Sequence, residues 1–221
     1  MPKQIALIHT SPAMIPVFKA LTGELLPGEQ VFNMVDESLL CDIIACKGCP
    51  PATARRLVGH VIAAEGAGAE LILVTCSSMG RAVEVARTLV SAKVLRVDEP
   101  MAERAVATGS RIGVIATLPS TLEPTAELIR SKAASAGKSV EVTSVVVEGA
   151  FEAVISGDGA KHDALVGAAL RELAGRVDVI VLAQASMARV VDSLGPLDRP
   201  LPILSSPRLA VERLAELARQ G

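Results

Sequence analysis

The sequence predicts an α/β fold built from two similar halves, each a mostly parallel sheet flanked by helices. Three observations carry this. Short apolar runs of strand length alternate with amphipathic helical stretches, the pattern of βαβ units joined by right-handed crossovers. The runs are apolar throughout, as strands buried on both faces are. Three strand ends also recur in the same order at nearly one offset. Leu71-Ile-Leu-Val-Thr-Cys76-Ser77-Ser78-Met79-Gly80-Arg81 is repeated in kind by Val179-Ile-Val-Leu-Ala-Gln184-Ala185-Ser186-Met187-Ala188-Arg189, 108 positions on. Ile5-Ala-Leu-Ile-His9-Thr10-Ser11-Pro12 pairs with Ile112-Gly-Val-Ile-Ala116-Thr117-Leu118-Pro119, and Asp98-Glu99-Pro100 with Ser205-Ser206-Pro207. One such match is chance; three in register indicate a duplicated half.

Taken in order, Lys3 to His9 reads as the first strand, and Pro12 is placed to start a helix at about Ala13. Gln30 to Val35 is a weaker second strand. Between Asp36 and Pro51 the pattern is irregular, and a short helix and a loop are expected. Ala52 to Glu65 is an amphipathic helix closed by Gly66 and Gly68. Leu71 to Thr75 is a buried strand, Met79 to Val90 its helix, and Val94 to Val97 a fourth strand. Met101 to Ala107 is helical and ends near Gly109.

The second half starts over with a strand at Arg111 to Ala116, a long helix at Thr121 to Ala136 and a β-branched strand at Val140 to Val147. Ala150 to Ile155 reads as a short helix before the Gly157-Asp-Gly159 turn, and His162 to Leu173 as a longer one. Val179 to Leu182 copies the central strand, Met187 to Ser193 is a short helix, and Pro202 to Leu204 leads into a final helix from Leu209. We place the boundary near Gly109, giving an N-terminal half at 1–109 and a C-terminal half at 110–206. The last helix, 207–221, is expected to pack back on the first half. Each half is Rossmann-like, of the flavodoxin-like kind. The halves are expected to be related by a pseudo-two-fold axis and to face each other across a cleft where the strand ends converge.

Composition narrows the function. Half of the 221 residues are apolar, enough for a sizeable core, yet there are three Phe and no Tyr or Trp. That argues against base-stacking platforms and aromatic ligand cages. A net charge of −2 with mixed signs leaves no basic stripe, so no nucleic-acid partner is expected. No apolar run approaches the roughly 20 residues of a membrane span, and no signal peptide precedes Ile5, so a soluble cytoplasmic protein is expected. The apolar helices at Ala52–Glu65 and Met79–Val90 leave room for a homo-oligomer, a dimer or higher. Cys41, Cys46 and Cys49 have part of an iron–sulfur spacing, C-x4-C-x2-C, but Cys41 lies in an apolar stretch. Ordinary thiols are the better reading, with no metal and no cofactor.

Cys76 is the main candidate for chemistry. It stands at the carboxyl end of a buried strand, where open α/β sheets place ligands, and at a helix N-terminus that favours a thiolate. A buried cysteine can be plain packing, but Thr75, Ser77 and Ser78 make this turn polar. With Thr10, Ser11, Thr117, Ala185 and Ser186 at the other strand ends, the hydroxyls and N–H groups suit a carboxylate or phosphate; N-capping is their structural alternative. His9 ends the first strand and is a candidate acid or base, or else a histidine bonded in place. His162 and His60 read as structural or surface residues. Glu99 holds a substrate amine, orients a base, or belongs with Asp98 to the next helix start. Arg81 and Arg189 read as structural salt-bridge partners.

These residues resemble the aspartate/glutamate/hydantoin racemase superfamily over most of the chain. Val74-Thr75-Cys76-Ser77-Ser78 is similar to its first signature, a strand ending in Cys-Asn-Thr or a like triplet. Gly113-Val114-Ile115-Ala116-Thr117 is similar to its central Gly-Val-x-Ala-Thr segment. Leu182-Ala183-Gln184-Ala185-Ser186-Met187 occupies the place of the third, a strand ending in Gly-Cys or Ala-Cys. The resemblance implies two α/β halves and cofactor-independent chemistry on a small carboxylate. One thiolate removes the proton next to the carboxylate, an opposite thiol returns one, and turn hydroxyls and N–H groups stabilise the enolate-like intermediate. It implies Cys76 as one acid/base, with Thr117, Ser77, Ser78 and Ser186 around the carboxylate.

The second cysteine's place is taken by Gln184, which hydrogen-bonds but does not shuttle protons near neutral pH. Three enzyme readings stay open. Another residue such as His9 supplies the second proton; one thiol suffices, as in a decarboxylase; or Cys76 is a nucleophile, as in a cis–trans isomerase. The family's one-thiol decarboxylases keep the second cysteine instead of the first. An isomerase of the racemase or epimerase kind is the leading expectation, and a catalytically inactive small-anion binding protein is the alternative from another class.

Overall fold

The computed structural model describes residues 2–184, 187–193 and 201–220. It divides into two compact units, Met1–Val97 with Pro207–Gly221, and Asp98–Ser206. In the first unit β1 (Gln4–His9), β2 (Gln30–Val35), β3 (Leu71–Val74) and β4 (Lys93–Arg96) form a parallel sheet in the order β2-β1-β3-β4. In the second, β5 (Arg111–Ala116), β6 (Glu141–Val146), β7 (Val179–Leu182) and β8 (Ile203–Ser205) repeat that order as β6-β5-β7-β8, again parallel. The register repeats too: Ile5 to Ile8 lie beside Leu71 to Val74, and Ile112 to Ile115 beside Val179 to Leu182. The duplication seen in three strand ends therefore extends to whole sheets.

The middle of the first sheet is buried on both faces because β3 is apolar at every position and β1 is apolar from Ile5 to Ile8. Ala6, Ile8, Ile72 and Val74 face α2 (Glu37–Cys46), α3 (Pro51–Gly66) and α4 (Gly80–Arg87) through Leu39, Ile43, Leu57, Val61 and Val83. Ile5, Leu7, Leu71 and Leu73, the alternate residues, meet Phe18 of α1 (Ile15–Leu25) and Ala210, Val211 and Leu214 of α10 (Ser206–Arg219). The final helix thus packs on the first half's sheet. The short helix and loop expected between Asp36 and Pro51 are α2, ten residues long, and the stretch 47–50. Asp36 caps α2, accepting from the Ser38 N–H at 3.1 Å, and also holds Arg56 at 2.7 Å and His60 at 2.8 Å.

The second unit contains α5 (Glu99–Thr108), α6 (Pro119–Ser135), α7 (Ala150–Ile155), α8 (Gly159–Ala174) and α9 (Ala188–Ser193). The division falls between Val97 and Asp98, ahead of α5, whereas the sequence placed it beyond that helix near Gly109. Buried Met101, Ala102, Ala105 and Val106 explain this, since α5 packs against α6, β7 and β8. Across β5, α8 lies so close that a Cβ on Gly113 would stand 2.5 Å from Leu173 Cδ2 and 3.0 Å from its Cγ. Gly113→Ala is therefore expected to cost about 1–3 kcal/mol of stability. That is a fall of about 2–12 °C in thermal midpoint for a chain of this size, read by circular dichroism.

Candidate active site

Cys76 stands two residues beyond the end of β3, which is flanked in the sheet by β1 and β4, and caps a one-turn 3-10 helix at Ser77–Met79 that runs into α4. The chain cannot continue as strand here because the turn's amides fold back: the Met79 N–H donates to the Cys76 carbonyl at 3.2 Å. The same turn aims donors at the sulfur. The Thr10 hydroxyl, the Ser78 N–H and hydroxyl, and the Met79 N–H all bond to it. Two opposing effects follow. Burial pushes the thiol's pKa up and is the larger; the four donors favour the thiolate. The helix start alone led the sequence reading to a thiolate, whereas in the folded chain desolvation wins. The sulfur is a thiol at neutral pH that becomes a strong base once ionised, with donors in place to receive its charge.

His9, at the end of β1, is fully buried and engaged through both ring nitrogens. Nδ1 lies 2.9 Å from Thr75 Oγ1 and Nε2 2.9 Å from Asn33 Oδ1. An amide oxygen only accepts, so Nε2 carries the proton, while Thr75 Oγ1 beside Nδ1 also lies within donating distance of the Ile8 carbonyl, at 3.1 Å. The ring also packs on Phe18, centroids 5.5 Å apart. It therefore positions Thr75, the residue before Cys76, and holds no free nitrogen to exchange a proton. Asn33 was not singled out from the sequence; its signal is an amide set between the apolar residues Phe32 and Met34 of β2. In the second half Ala116 and Ala183 stand where the first has His9 and Thr75. Burial lowers the His9 pKa below its ordinary 6.5, the Asn33 bond opposing in part. A depressed histidine contributes stability that is complete above 6.5 and is lost as pH falls below it, because the unfolded chain takes the proton more readily. Urea denaturation at pH 7.5 and 5.5 is expected to show a loss of up to about 1.4 kcal/mol per pH unit, which His9→Gln reduces.

The second half repeats the wiring with different atoms. In the first, Thr10 bonds Cys76; in the second, the matching Thr117 donates to Gln184 Oε1, from its N–H at 2.6 Å and its hydroxyl at 2.9 Å. Gln184 thus occupies the matching position and uses its oxygen to hold Thr117, leaving its NH2 as a donor end. The Thr117 N–H, expected to face a carboxylate, is taken by this bond. Ala185 and Ser186, the other expected contacts, lie outside the described residues.

The family model for the Asp/Glu/Hydantoin racemases matches residues 5–214. The chain belongs to this family. It is a racemase-like isomerase by that membership. Solved structures similar in fold include an allantoin racemase from Klebsiella pneumoniae, 18% identical with a TM-score of 0.72, covering 99% of this chain and 89% of that one. A glutamate racemase isoform from Bacillus anthracis is 19% identical at a TM-score of 0.70, covering 99% and 82%. An aspartate racemase from Picrophilus torridus is 12% identical at 0.73, covering 97% and 94%. No curated protein sequence matches the chain.

Within this racemase fold the remaining candidates divide. Thr10, Thr75, Ser77 and Ser78 are buried around Cys76, and Ser11 precedes the 3-10 turn that opens α1 without capping it through its side chain. Glu99 is committed elsewhere: Lys132 of α6 bonds it at 2.5 Å and Glu103 at 3.0 Å. Arg189 pairs with Asp163 at 2.9 Å, a structural ion pair as the sequence had it. Cys41 and Cys46 are exposed on α2, while the Cys49 sulfur is 3.9 Å from Met79 Sδ. Among the described residues no group of three or more His, Cys, Asp or Glu is arranged to hold a metal, and no helix is long and apolar enough to cross a membrane. An open groove of about 580 Å³ is lined by Lys3, Glu70, Leu71 and Lys93 at the amino ends of β1, β3 and β4, the opposite edge from Cys76.

Proposed function

We propose that this racemase-family chain moves a proton next to the carboxylate of a small acid without a cofactor, and that Cys76 is the group that carries it. The observation behind this is the ring of four donors on one strand-end sulfur. Those donors balance the charge of the thiolate when it forms and pass to the substrate's carboxylate and enolate-like oxygens as the sulfur takes up the proton. Thr10, Ser11, Ser77 and Ser78 make the carboxylate pocket of the first half, and His9 keeps Thr75 in place behind it. Gln184 acts as an anchor for Thr117 and as a hydrogen-bond donor, so the second proton does not come from a thiol at that place.

One thiol also fits a decarboxylase, in which Cys76 would protonate the carbanion left by carbon dioxide, and Gln184 is the observation that favours this second reading. The four cysteines are free, which fits a reducing, cytoplasmic setting. Ile62 on α3, Val85 on α4 and Leu89 just beyond it are about half exposed, which fits a homo-oligomer. Proton NMR in deuterated water decides the chemistry. The native protein and Cys76→Ala are each incubated with aspartate, glutamate, allantoin, hydroxy acids and substituted malonates. Loss of an α-proton signal with the native protein alone supports the isomerase; loss of carbon dioxide from a malonate replaces it with the lyase; silence across the panel overturns both.

A further inference from the structure

The buried stripe of α8 is His162, Val166, Leu170 and Leu173, and the histidine is as inaccessible as the aliphatic residues, at 0% exposure. α8 leads into β7 in a sheet of parallel strands, so it runs against them. Its first turn lies at the carboxyl edge of the second half's sheet. There Arg189, seven residues beyond the end of β7, reaches back to the cluster, 2.9 Å from Asp163 Oδ1 and 3.4 Å from His162 Nδ1. Asp163 Oδ1 is 2.7 Å from Nδ1. A carboxylate only accepts, so Nδ1 carries the proton and Nε2 presents a lone pair. That Nε2 is buried and has no hydrogen-bond partner among the described residues.

The duplication supplies a control. In α3 the buried stripe Thr53, Leu57, Val61 and Ala64 has the same spacing, so Thr53 stands where α8 has His162. Thr53 donates its hydroxyl to Asp42 Oδ2 at 2.9 Å. The first half satisfies its buried polar group at this place from within its own chain; among the described residues the second half offers His162 Nε2 no such partner. Unsatisfied buried nitrogens are rare because an apolar side chain in the same space is the more stable choice, so one that persists calls for a partner from outside the chain.

We propose that His162 Nε2 is a ligand-contacting acceptor of the second half, taking a hydrogen bond from the amino or hydroxyl group that a small α-amino or α-hydroxy acid carries beside its carboxylate. This rests on the reading of the chain as an enzyme of small carboxylates, and narrows it to acids bearing such a donor. Asp163 and Arg189, 35% and 55% exposed, form the solvent side of the cluster and hold the ring by its Nδ1, leaving Nε2 for the ligand.

The test combines two variants with a readout that needs no turnover. In protein labelled with 15N-histidine, the His162 Nε2 resonance is followed as L-aspartate, L-glutamate and L-malate are added in turn. It is expected to shift with one of them. His162→Leu is expected to keep or raise the thermal midpoint while raising KM at least tenfold with a smaller change in kcat, and His162→Gln to fall between. An unmoved resonance with all three acids overturns the proposal, as do unchanged KM and kcat in a folded His162→Leu. If His162→Leu does not fold, His162→Gln and the resonance decide. If the native protein exchanges no α-proton, the functional reading has failed, and the resonance still judges the contact on its own.

Discussion

Cys76→Ala is expected to slow α-proton exchange by about 10²–10⁴-fold, the usual share of a positioned acid/base, while the thermal midpoint stays within a few degrees of the native value. The small stability effect follows from the site: Cys76 as a residue is half-buried and packs against the edge of the core cluster formed with α3 and α4, and alanine removes only its sulfur. Cys76→Ser keeps the hydrogen bonds to Thr10 and Ser78 but replaces the thiol with a far weaker acid, and is expected to be as inactive as alanine. A serine variant with near-native exchange would show that the sulfur is not the base. The pH profile follows from the opposed effects at the sulfur. Because burial is the larger, thiolate and exchange rate should rise together on the alkaline side of the ordinary cysteine range, and iodoacetamide alkylation should trace the same curve. A raised thiol pKa contributes stability that is complete below the unfolded value of 9.0 and is lost as pH climbs through the folded one. A flat alkylation profile from neutral pH upward would contradict this.

Phe18→Ala is expected to be the most damaging single change in the first unit. Phe18 is the largest fully buried side chain, and with no Trp or Tyr in the sequence it supplies bulk that aliphatic neighbours cannot refill. It joins α1 to Ile5 and Leu7 of β1 and to α10. Truncation removes its transfer free energy and leaves a cavity, about 3–5 kcal/mol in all, or about 6–20 °C in thermal midpoint at this chain length. It also strips the apolar wall from His9, whose ring it touches. Water entering that space relieves the burial that lowers the His9 pKa, so the acid-side loss of stability should shrink in this variant as it does in His9→Gln. A drop of under 1 kcal/mol would mean that α1 and α10 collapse onto the sheet without Phe18.

Much of the fold is local information. Strands such as Leu71–Val74 and Val179–Leu182 are apolar at every position, so their burial on two faces and parallel pairing can be read without knowing the neighbours. The offset between halves is likewise a property of the chain alone. The ends of α2 are not legible in the sequence because its apolar residues, Leu39, Ile43 and Ile44 among them, are interrupted by cysteines and an aspartate. Its helix is completed by the local Asp36 cap and by contacts from α3 that join residues 11 to 24 positions apart.

The sequence by itself determined the duplicated α/β plan, the strand-end thiol at Cys76 and its polar turn, because strand periodicity, capping residues and repeats are written in consecutive residues. Only the tertiary structure decided what those residues do to one another. That burial outweighs the helix start at Cys76, that His9 is bonded to Thr75 and Asn33, that Gln184 is tied to Thr117 and Glu99 to Lys132, and that Nε2 of His162 is left over, all depend on which strands and helices become neighbours. These partners stand 24 to 67 residues apart in the chain. Hydrogen bonds and desolvation act over a few ångströms in space, and sheet order and register, not local pattern, set which groups come that close.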